Sequence, residues 1–556
     1  MKKIFFLIPL SLLLQWSFAQ TSKHYLVKFK DKNNSEYSVD QPSAYLSEKS
    51  ISRRQKQNIK IIANDLPVNS IYINAVKSTG VSVINQSRWL NAVTISTADE
   101  TQLEAVRSLA SVKEIILTSD DASVKVNSTK FYPEANSQSA LTSDPGRISV
   151  VLNYGPSFFQ ANQIGADCMH NSGYMGQGMT IAVLDAGFYK ADSLPAFDSL
   201  RINNQLLGCR DFVTGDTLVF EDFPHGMNVL SCMVGNLPGQ LVGTAPKAKF
   251  WLLRTEDAFT ETLQEEVNWL VAAEFADSVG ADIINTSLGY TKFDGGIGDH
   301  FYSDMDGNTT IVTNAADWAA SKGIFVTCSA GNAGGPPWYK ISAPADADSV
   351  LTVGAVDSAG VIAGFSSRGL TFDGRVKPNV CARGVQATIA GNSGGTSLAN
   401  GTSFSSPITA GAVACLWQSN PTANILQLIS AIQQSASQAF LPDSIQGYGI
   451  PDFCTADSIL GFMVTINDLS ADEALLSVYP NPFHSDFVID FFSNKKEIVH
   501  LELYDISGRK ILTESQSVVA NNNRLHLSQP EALSKGIYTL RVVTSGKTYF
   551  KKIVKQ

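Results

Sequence analysis

The chain has 556 residues, 44% hydrophobic and 17% charged, which excludes a disordered or coiled-coil protein and allows three or four folding units. Against 51 acidic side chains stand 42 basic ones, and a net charge of -9 excludes wholesale neutralisation of nucleic-acid phosphates. The 7 cysteines are too few to staple a chain of this length and form no C-x-x-C pair of a structural zinc site.

The first residues, MKKIFFLIPLSLLLQWSFAQ, combine a basic start at Lys2 and Lys3, an apolar run from Ile4 to Leu14 and small residues at Ser17 and Ala19. This pattern predicts a signal peptide over 1–19, cleaved after Ala19. No apolar run reaches the ~18 residues of a membrane span, and no Cys follows the cleavage site, so neither a stable span nor a lipid anchor is expected. Residues 24–118 read as a small α/β unit. His24–Lys30 alternates like a strand, Ser43–Lys60 is charged and helical in pattern, and Val81–Ile84 and Ala92–Ile95 read as strands. Residues 97–107 open with a Thr or Asp cap and acidic residues, a helix start. Ser119–Arg147, rich in Ser, Asn, Thr, Asp and Pro, lacks periodicity and reads as an exposed linker, where proteases cut.

From about Val150 to Met463 apolar strands alternate with longer helices. Segments 179–185, 249–254, 281–289, 324–332 and 349–356 are strand-like; 265–278 and 315–323 are helical, the second closed by Gly323. Such alternation predicts a mostly parallel sheet covered on both faces. From Val478 onward the short alternating segments 487–491, 499–504 and 537–543 are separated by turns, the pattern of a small all-β sandwich.

Four places in the central region can carry chemistry. Asp185 ends an apolar strand, where α/β folds place their sites, although such an Asp is as often a cap or turn former. His225, after Pro224, opens an apolar helix; a lone His there is commonly a cap, and Asn228 makes no zinc pattern with it. Asn332 leaves a strand among glycines, either as a turn former or as an amide donor to a developing oxyanion. Ser403 precedes Ser405, Ser406, Ala410, Gly411, Ala412 and Ala414, small residues that let a helix pass close to a neighbour. Pro407 suits the first turn of that helix, whose N-terminus can stabilise negative charge. A Ser nucleophile needs a base held in one tautomer by an acid, and His225 and Asp185 have the settings for it.

The segments DAG (185–187), HGMNV (225–229), SAGN (329–332) and GTSFSSP (401–407), with SLG (287–289) between them, resemble the subtilisin-like serine proteases in kind and order. Ala186 replaces the usual Ser or Thr, and Met227 and Asn228 replace the usual Thr-His pair. The resemblance implies a three-layer α/β domain with a mostly parallel central sheet, acting as a secreted serine endopeptidase through Asp185, His225 and Ser403, with Asn332 as oxyanion donor. It also implies that Ser287, Leu288 and Gly289, with Ser329, Ala330 and Gly331, line the substrate cleft. The pocket floor is expected near Ile341–Ser342, with no acid there to favour basic side chains, and Trp338 and Lys340 rim the cleft or lie on the surface.

The flanking units fit the same resemblance. Residues 20–118 look like an inhibitory prosegment, 119–149 an activation linker, 150–465 the peptidase domain and 466–477 a second linker. Residues 478–556, opening VYPNPF, resemble the C-terminal sorting domain of the type IX secretion route in Bacteroidetes. The implied partners are protein or peptide substrates, the chain's own prosegment and the type IX machinery, and the implied location is secreted or cell-surface, via the periplasm. No cofactor is required for catalysis. Structural calcium is frequent in such enzymes, and DMDGN (304–308) alternates acids as a calcium loop does, without the Glu that a helix–loop–helix site needs. Cysteine pairing is not readable from spacing. A catalytically silent, binding member of the family is the alternative. An esterase is disfavoured by the order Asp, His, Ser and by the lack of a G-x-S-x-G elbow.

Overall fold

The structure is a computed structural model. It describes residues 22–122, 152–221, 223–470, 476–493, 495–505, 509–527, 532–545 and 548–556, with the backbone alone for 462–470. The expected signal peptide and all but the first residues of the expected activation linker lie outside these. The chain divides into two compact units, Met1–Ala456 and Asp457–Gln556.

The first unit opens with β1 (Lys23–Phe29), α1 (Glu48–Lys56), α2 (Ser70–Lys77), β2 (Ser82–Ser87), β3 (Ala92–Thr97), α3 (Glu100–Arg107) and β4 (Val112–Asp120). The strands form an antiparallel sheet in the order β2-β3-β1-β4. Alternation in β1 explains its two faces. Tyr25, Val27 and Phe29 pack with Ile73, Val76, Leu103 and Val106 of α2 and α3. Leu26, with Ala92 of β3, turns the other way onto Val267. α1 is shorter than its charged pattern, because Ser47 caps it by accepting from Ser50 N.

The larger part follows with α4 (Phe158–Gln163), α5 (Ala166–Asn171), β5 (Thr180–Asp185), α6 (Asp198–Ile202), β6 (Leu206–Asp211), α7 (His225–Val234), β7 (Asn236–Leu237), β8 (Leu241–Val242), β9 (Lys249–Arg254) and α8 (Leu263–Val279). Then come β10 (Ile283–Thr286), α9 (Ile311–Ser321), β11 (Phe325–Ser329), β12 (Leu351–Val356), β13 (Val380–Arg383), β14 (Ala387–Ala390), β15 (Thr396–Ala399), α10 (Thr402–Ser419), α11 (Ile425–Ser435) and α12 (Phe453–Ser470). Seven strands make one parallel sheet in the order β13-β12-β11-β10-β5-β9-β6. On one face Ala182, Leu184, Ile284, Val326 and Cys328 pack with Trp269 and Ala273 of α8 and Val312 and Ala316 of α9. α7 and α10 cover the other face. The three layers expected of the α/β region are present.

α10 is buried at every residue from Thr402 to Trp417, the mark of a helix inside the core rather than on it. Its small residues are required: a Cβ on Gly411 would come within 2.1 Å of Thr244 Oγ1. A disulfide joins Cys168 of α5 to Cys454 of α12. The other five cysteines are free thiols, and burial pushes the pKa of each upward, Cys209 to about 12, so they are protonated and unreactive.

The second unit carries β16 (Leu476–Tyr479), β17 (Val488–Ser493), β18 (Glu497–Asp505), β19 (Lys510–Val518), β20 (Asn521–Leu525), β21 (Gly536–Val543) and β22 (Thr548–Lys555). They form antiparallel sheets β16-β17-β20 and β19-β18-β21-β22, sharing one core that includes Val478, Ile489, Leu501, Leu540 and Ile553. This is the expected sandwich. Among the described residues no helix is long and apolar enough to cross a membrane.

Buried charge fastens the N-terminal sheet to α8. Asp277, wholly buried, accepts from Arg53 (2.5 Å), Arg54 (2.7 Å) and Arg88 (2.6 Å). Burial alone would raise its pKa, but the three guanidinium groups outweigh burial and hold it below the ordinary carboxylate value. One turn earlier Glu274 accepts from Ser87 Oγ (2.6 Å), Arg88 N (2.8 Å) and Trp89 N (3.0 Å). There burial dominates, and its pKa stays raised despite Arg88 and these donors. The two carboxylates answer acid in opposite senses. Docking energy from Asp277 is present above the ordinary carboxylate pKa and is lost only as pH falls through the lowered value, whereas Glu274 takes up its proton above the ordinary value.

Removing one partner of a buried ion cluster costs about 3–5 kcal/mol, because the remaining charges stay desolvated. Asp277→Ala is therefore expected to weaken binding of the separately produced 22–122 segment to the remaining chain by more than about 100-fold in isothermal titration. Unchanged affinity would remove the arginine cluster as the fastening.

Candidate active site

The C-terminal edge of the parallel sheet gathers every residue singled out for chemistry. β5 delivers Asp185, fully buried, whose Oδ1 accepts from Ala186 N (2.8 Å) and pairs with His225 Nδ1 (2.7 Å). Its Oδ2 is buried with no hydrogen-bond partner among the described residues; a hydroxyl at position 186 is what the chain lacks here. His225 is the first residue of α7, and Gly226 lets that turn abut the strand end: a Cβ there would meet Gly187 O at 2.4 Å and Asp185 Cβ at 2.8 Å.

Ser403 is the second residue of α10 and is 8% exposed. Pro407 is not in the first turn, as the sequence pattern had it, but inside the helix. Proline has no N–H to donate four residues back, which is the carbonyl of Ser403. Ser287 Oγ takes over and donates to Ser403 O (2.9 Å), while Ser403 Oγ donates to Ser287 O (3.4 Å). The proline thus leaves the Ser403 carbonyl without its helical donor, and Ser287 ties it to the segment after β10. That segment leaves the sheet: β10 ends at Thr286, not at Gly289 as the apolar run implied.

Asn332 lies three residues past β11. Its Oδ1 accepts from Thr402 N (2.9 Å) and Thr402 Oγ1 (2.9 Å), which fixes the amide and leaves Nδ2 as the donor beside Gly401. His225, Asn332 and Ser403 line one open cleft. Ser287, Leu288, Gly289, Ser329 and Gly331 line it too, as the resemblance implied. Ala330 does not: its side chain is in the core and its N–H donates to Val353 O. Ser342 lies between the two walls, with its Oγ 2.2 Å from a Cβ placed on Gly289 and 2.9 Å from one placed on Gly331. The cleft floor is therefore a hydroxyl, and Ile341 beside it is buried. Trp338 donates to Ile341 O, Lys340 to Gly369 O, and neither lines the cleft.

Two acids that the sequence reading passed over also line the cleft, Glu256 and Glu261. They sit in RTEDAFTETLQEE, where acids before a helix read as caps, and Glu265 does cap α8, accepting from Thr262 N. The overlooked signal was the place, just past the end of β9 on the same sheet edge as Asp185. Glu256 accepts from Tyr290 Oη (2.5 Å) and Thr255 Oγ1 (3.2 Å). Burial, then the Glu256 charge, push the Tyr290 hydroxyl well above its ordinary pKa, so it remains a donor. The DMDGN segment does not fit a calcium loop. Asp306 accepts from Asn308 N and Thr309 N, and Asp304 from Phe301 N, so these carboxylates close turns.

The sequence profile of the subtilase family matches residues 176–449. That of the Peptidase S8 propeptide domain of Bacteroidota matches 24–135, and that of the secretion system C-terminal sorting domain matches 477–556. Subtilisin E of Bacillus subtilis (strain 168) is 30% identical over 282 residues, 50% of this chain and 65% of that relative. Subtilisin of Bacillus pumilus is 30% identical over 282 residues, 50% of this chain and 90% of the relative. Serine protease AprX of Bacillus subtilis (strain 168) is 30% identical over 277 residues, 44% of this chain and 58% of the relative. The matched stretch thus spans less than two thirds of subtilisin E and of AprX.

Ser287→Ala should leave the buried Ser403 carbonyl without a donor, at a cost of about 1–3 kcal/mol in denaturant unfolding. Pro407→Ala supplies the missing N–H, so the double variant should be more stable than the sum of the two single changes by about 1 kcal/mol. Strict additivity would show that the proline and Ser287 are not linked through that carbonyl.

Proposed function

The chain belongs to the subtilase family, and from that premise we propose that it is a secreted serine endopeptidase that cuts proteins through an acyl-enzyme intermediate. The observation that carries the reading is the held pair Asp185–His225 sharing one cleft with Ser403 at the start of a buried helix.

In this reading an extended peptide adds as a strand along Ser287–Gly289 and takes over the Ser287 carbonyl, freeing the Ser403 hydroxyl. His225 accepts its proton as Oγ attacks the scissile carbonyl, and Asp185 keeps Nδ1 protonated and the ring in place. Asn332 Nδ2, oriented through Thr402, and the Ser403 N–H hold the oxyanion. His225 then protonates the leaving amine, and water resolves the acyl-enzyme. No cofactor enters any step. The side chain next to the attacked carbonyl enters between Gly289 and Gly331 above Ser342.

Residues 20–118 act as the inhibitory prosegment, docked on α8, with activation by cleavage within 119–149. The peptidase domain takes 150–465, and a linker over 466–477 leads to 478–556, which addresses the chain to the type IX machinery and so, via the periplasm, to the medium or the cell surface. Support comes from the propeptide and sorting-domain likenesses and from the signal-like first 19 residues.

A fluorophosphonate probe on the activated protein should label Ser403 alone, and Ser403→Ala should abolish both labelling and peptide cleavage. Label surviving in Ser403→Ala would overturn the assignment. Asn332→Ala should lower kcat by about 10²–10³ with little change in KM, the range known for one such donor in subtilisin. A normal kcat per titrated site would leave Asn332 as a turn residue only.

A further inference from the structure

Glu256 and Glu261 stand in the wall of the cavity that holds Ser403. Glu256 is fully buried, and Glu261 is half-buried. Behind them, Glu265 brings a third carboxylate, and one oxygen from each of the three lies within 4.8 Å of the others. Neutral donors fix two of the acids: Tyr290 Oη and Thr255 Oγ1 on Glu256, and Asp257 N and Thr262 N on Glu265. Carboxylates in the wall of a cleft give that wall a negative field, which favours a cationic group on whatever the cleft binds.

The position of these acids says which cation. They do not form a separate pit; they share the cleft with His225 and Ser403, and the ligand of that cleft is a peptide. Asn332 follows β11, whereas Glu256 follows β9, three strands further along the sheet, past β10 and β5. The acids therefore lie across the Ser287–Gly289 edge from the oxyanion position, away from the Ser342 floor. A peptide extended along that edge presents the side chain at its attacked carbonyl to Ser342 and another of its side chains to Glu261.

We propose that the Glu256–Glu261 wall selects peptide substrates carrying arginine or lysine at a residue flanking the one attacked. This rests on the peptidase reading above. It concerns a different part of the cleft from the Ser342 floor, for which the sequence pointed away from basic side chains. Glu261 makes the direct contact; Glu256, held by Tyr290, supplies the second charge from within the wall.

The test is a set of peptides with one fixed cleavage residue and Arg, Lys, Ala or Glu at each neighbouring position, cut by the activated enzyme. At one position Arg and Lys should exceed Ala in kcat/KM by at least about tenfold, with Glu below Ala. Glu261→Gln should bring the Arg-to-Ala ratio close to 1, and Glu261→Lys should place the Glu peptide above the Arg peptide. Should Glu256→Gln fail to fold, the two Glu261 variants carry the test. Equal rates for all four side chains at every position, or an Arg preference that survives Glu261→Lys, overturns the proposal. Cleavage that a chelator stops and calcium restores, without side-chain preference, gives the cluster to a metal ion and equally overturns it. A protein that labels fully with the phosphonate but shows no preference refutes this proposal alone; one that neither labels nor cleaves refutes the peptidase reading beneath it.

Discussion

The burial of α10 is the constraint from which the site follows. A helix with water on one side can slide or fray, but α10 is enclosed along its length by α7 and by β10, β11, β12 and β13. Its first residues therefore occupy one position relative to the sheet edge. Gly411 sets the depth by bringing the helix against Thr244, and Pro407 sets the hydrogen bonding of its first turn. The same placement orients Asn332, because Thr402 provides both donors to its side-chain oxygen. The nucleophile and the orientation of the amide beside it both follow from the start of one packed helix.

Much of this was legible in the residues. Unbroken apolar strands such as TIAVLD and FVTCS can only be buried on both faces, and their ends mark the sheet edge where Asp185 and Asn332 emerge. The crowd of small residues after Ser403 announced a buried helix. What could not be read depends on spatial neighbours. Pro407 was placed in a first turn because local preference favours it there, while its position in the helix follows from Ser287, 116 residues away. The run 281–289 looked like one strand, but its polar end turns out of the sheet to become the cleft wall. Cys168 and Cys454 are 286 residues apart, and no spacing rule reaches that far. Glu256 and Glu261 were passed over because acids ahead of a helix have an ordinary explanation, which Glu265 does satisfy.

Charge is used differently at the two ends of α8. Toward its C-terminus Asp277 meets three guanidinium groups, and every member is supplied within the chain. Around its N-terminus three carboxylates converge on a cleft open to solutes. The first arrangement is buried and fastens the N-terminal sheet; the second stands in the wall of the cleft. One helix thus carries the fastening of the N-terminal segment near one end and meets the acidic wall of the cleft at the other.

The bond between Cys168 and Cys454 has a mechanical consequence. It closes a ring of chain that contains Asp185, His225, Ser287, Asn332 and Ser403. A pull applied between a point before Cys168 and a point after Cys454 runs through the two sulfur atoms and bypasses the ring. The tension can straighten the segments outside it, including α12 beyond Cys454, but it cannot draw out β5, β10, β11 or α10 while the bond lasts. Reduction would put those strands directly under load.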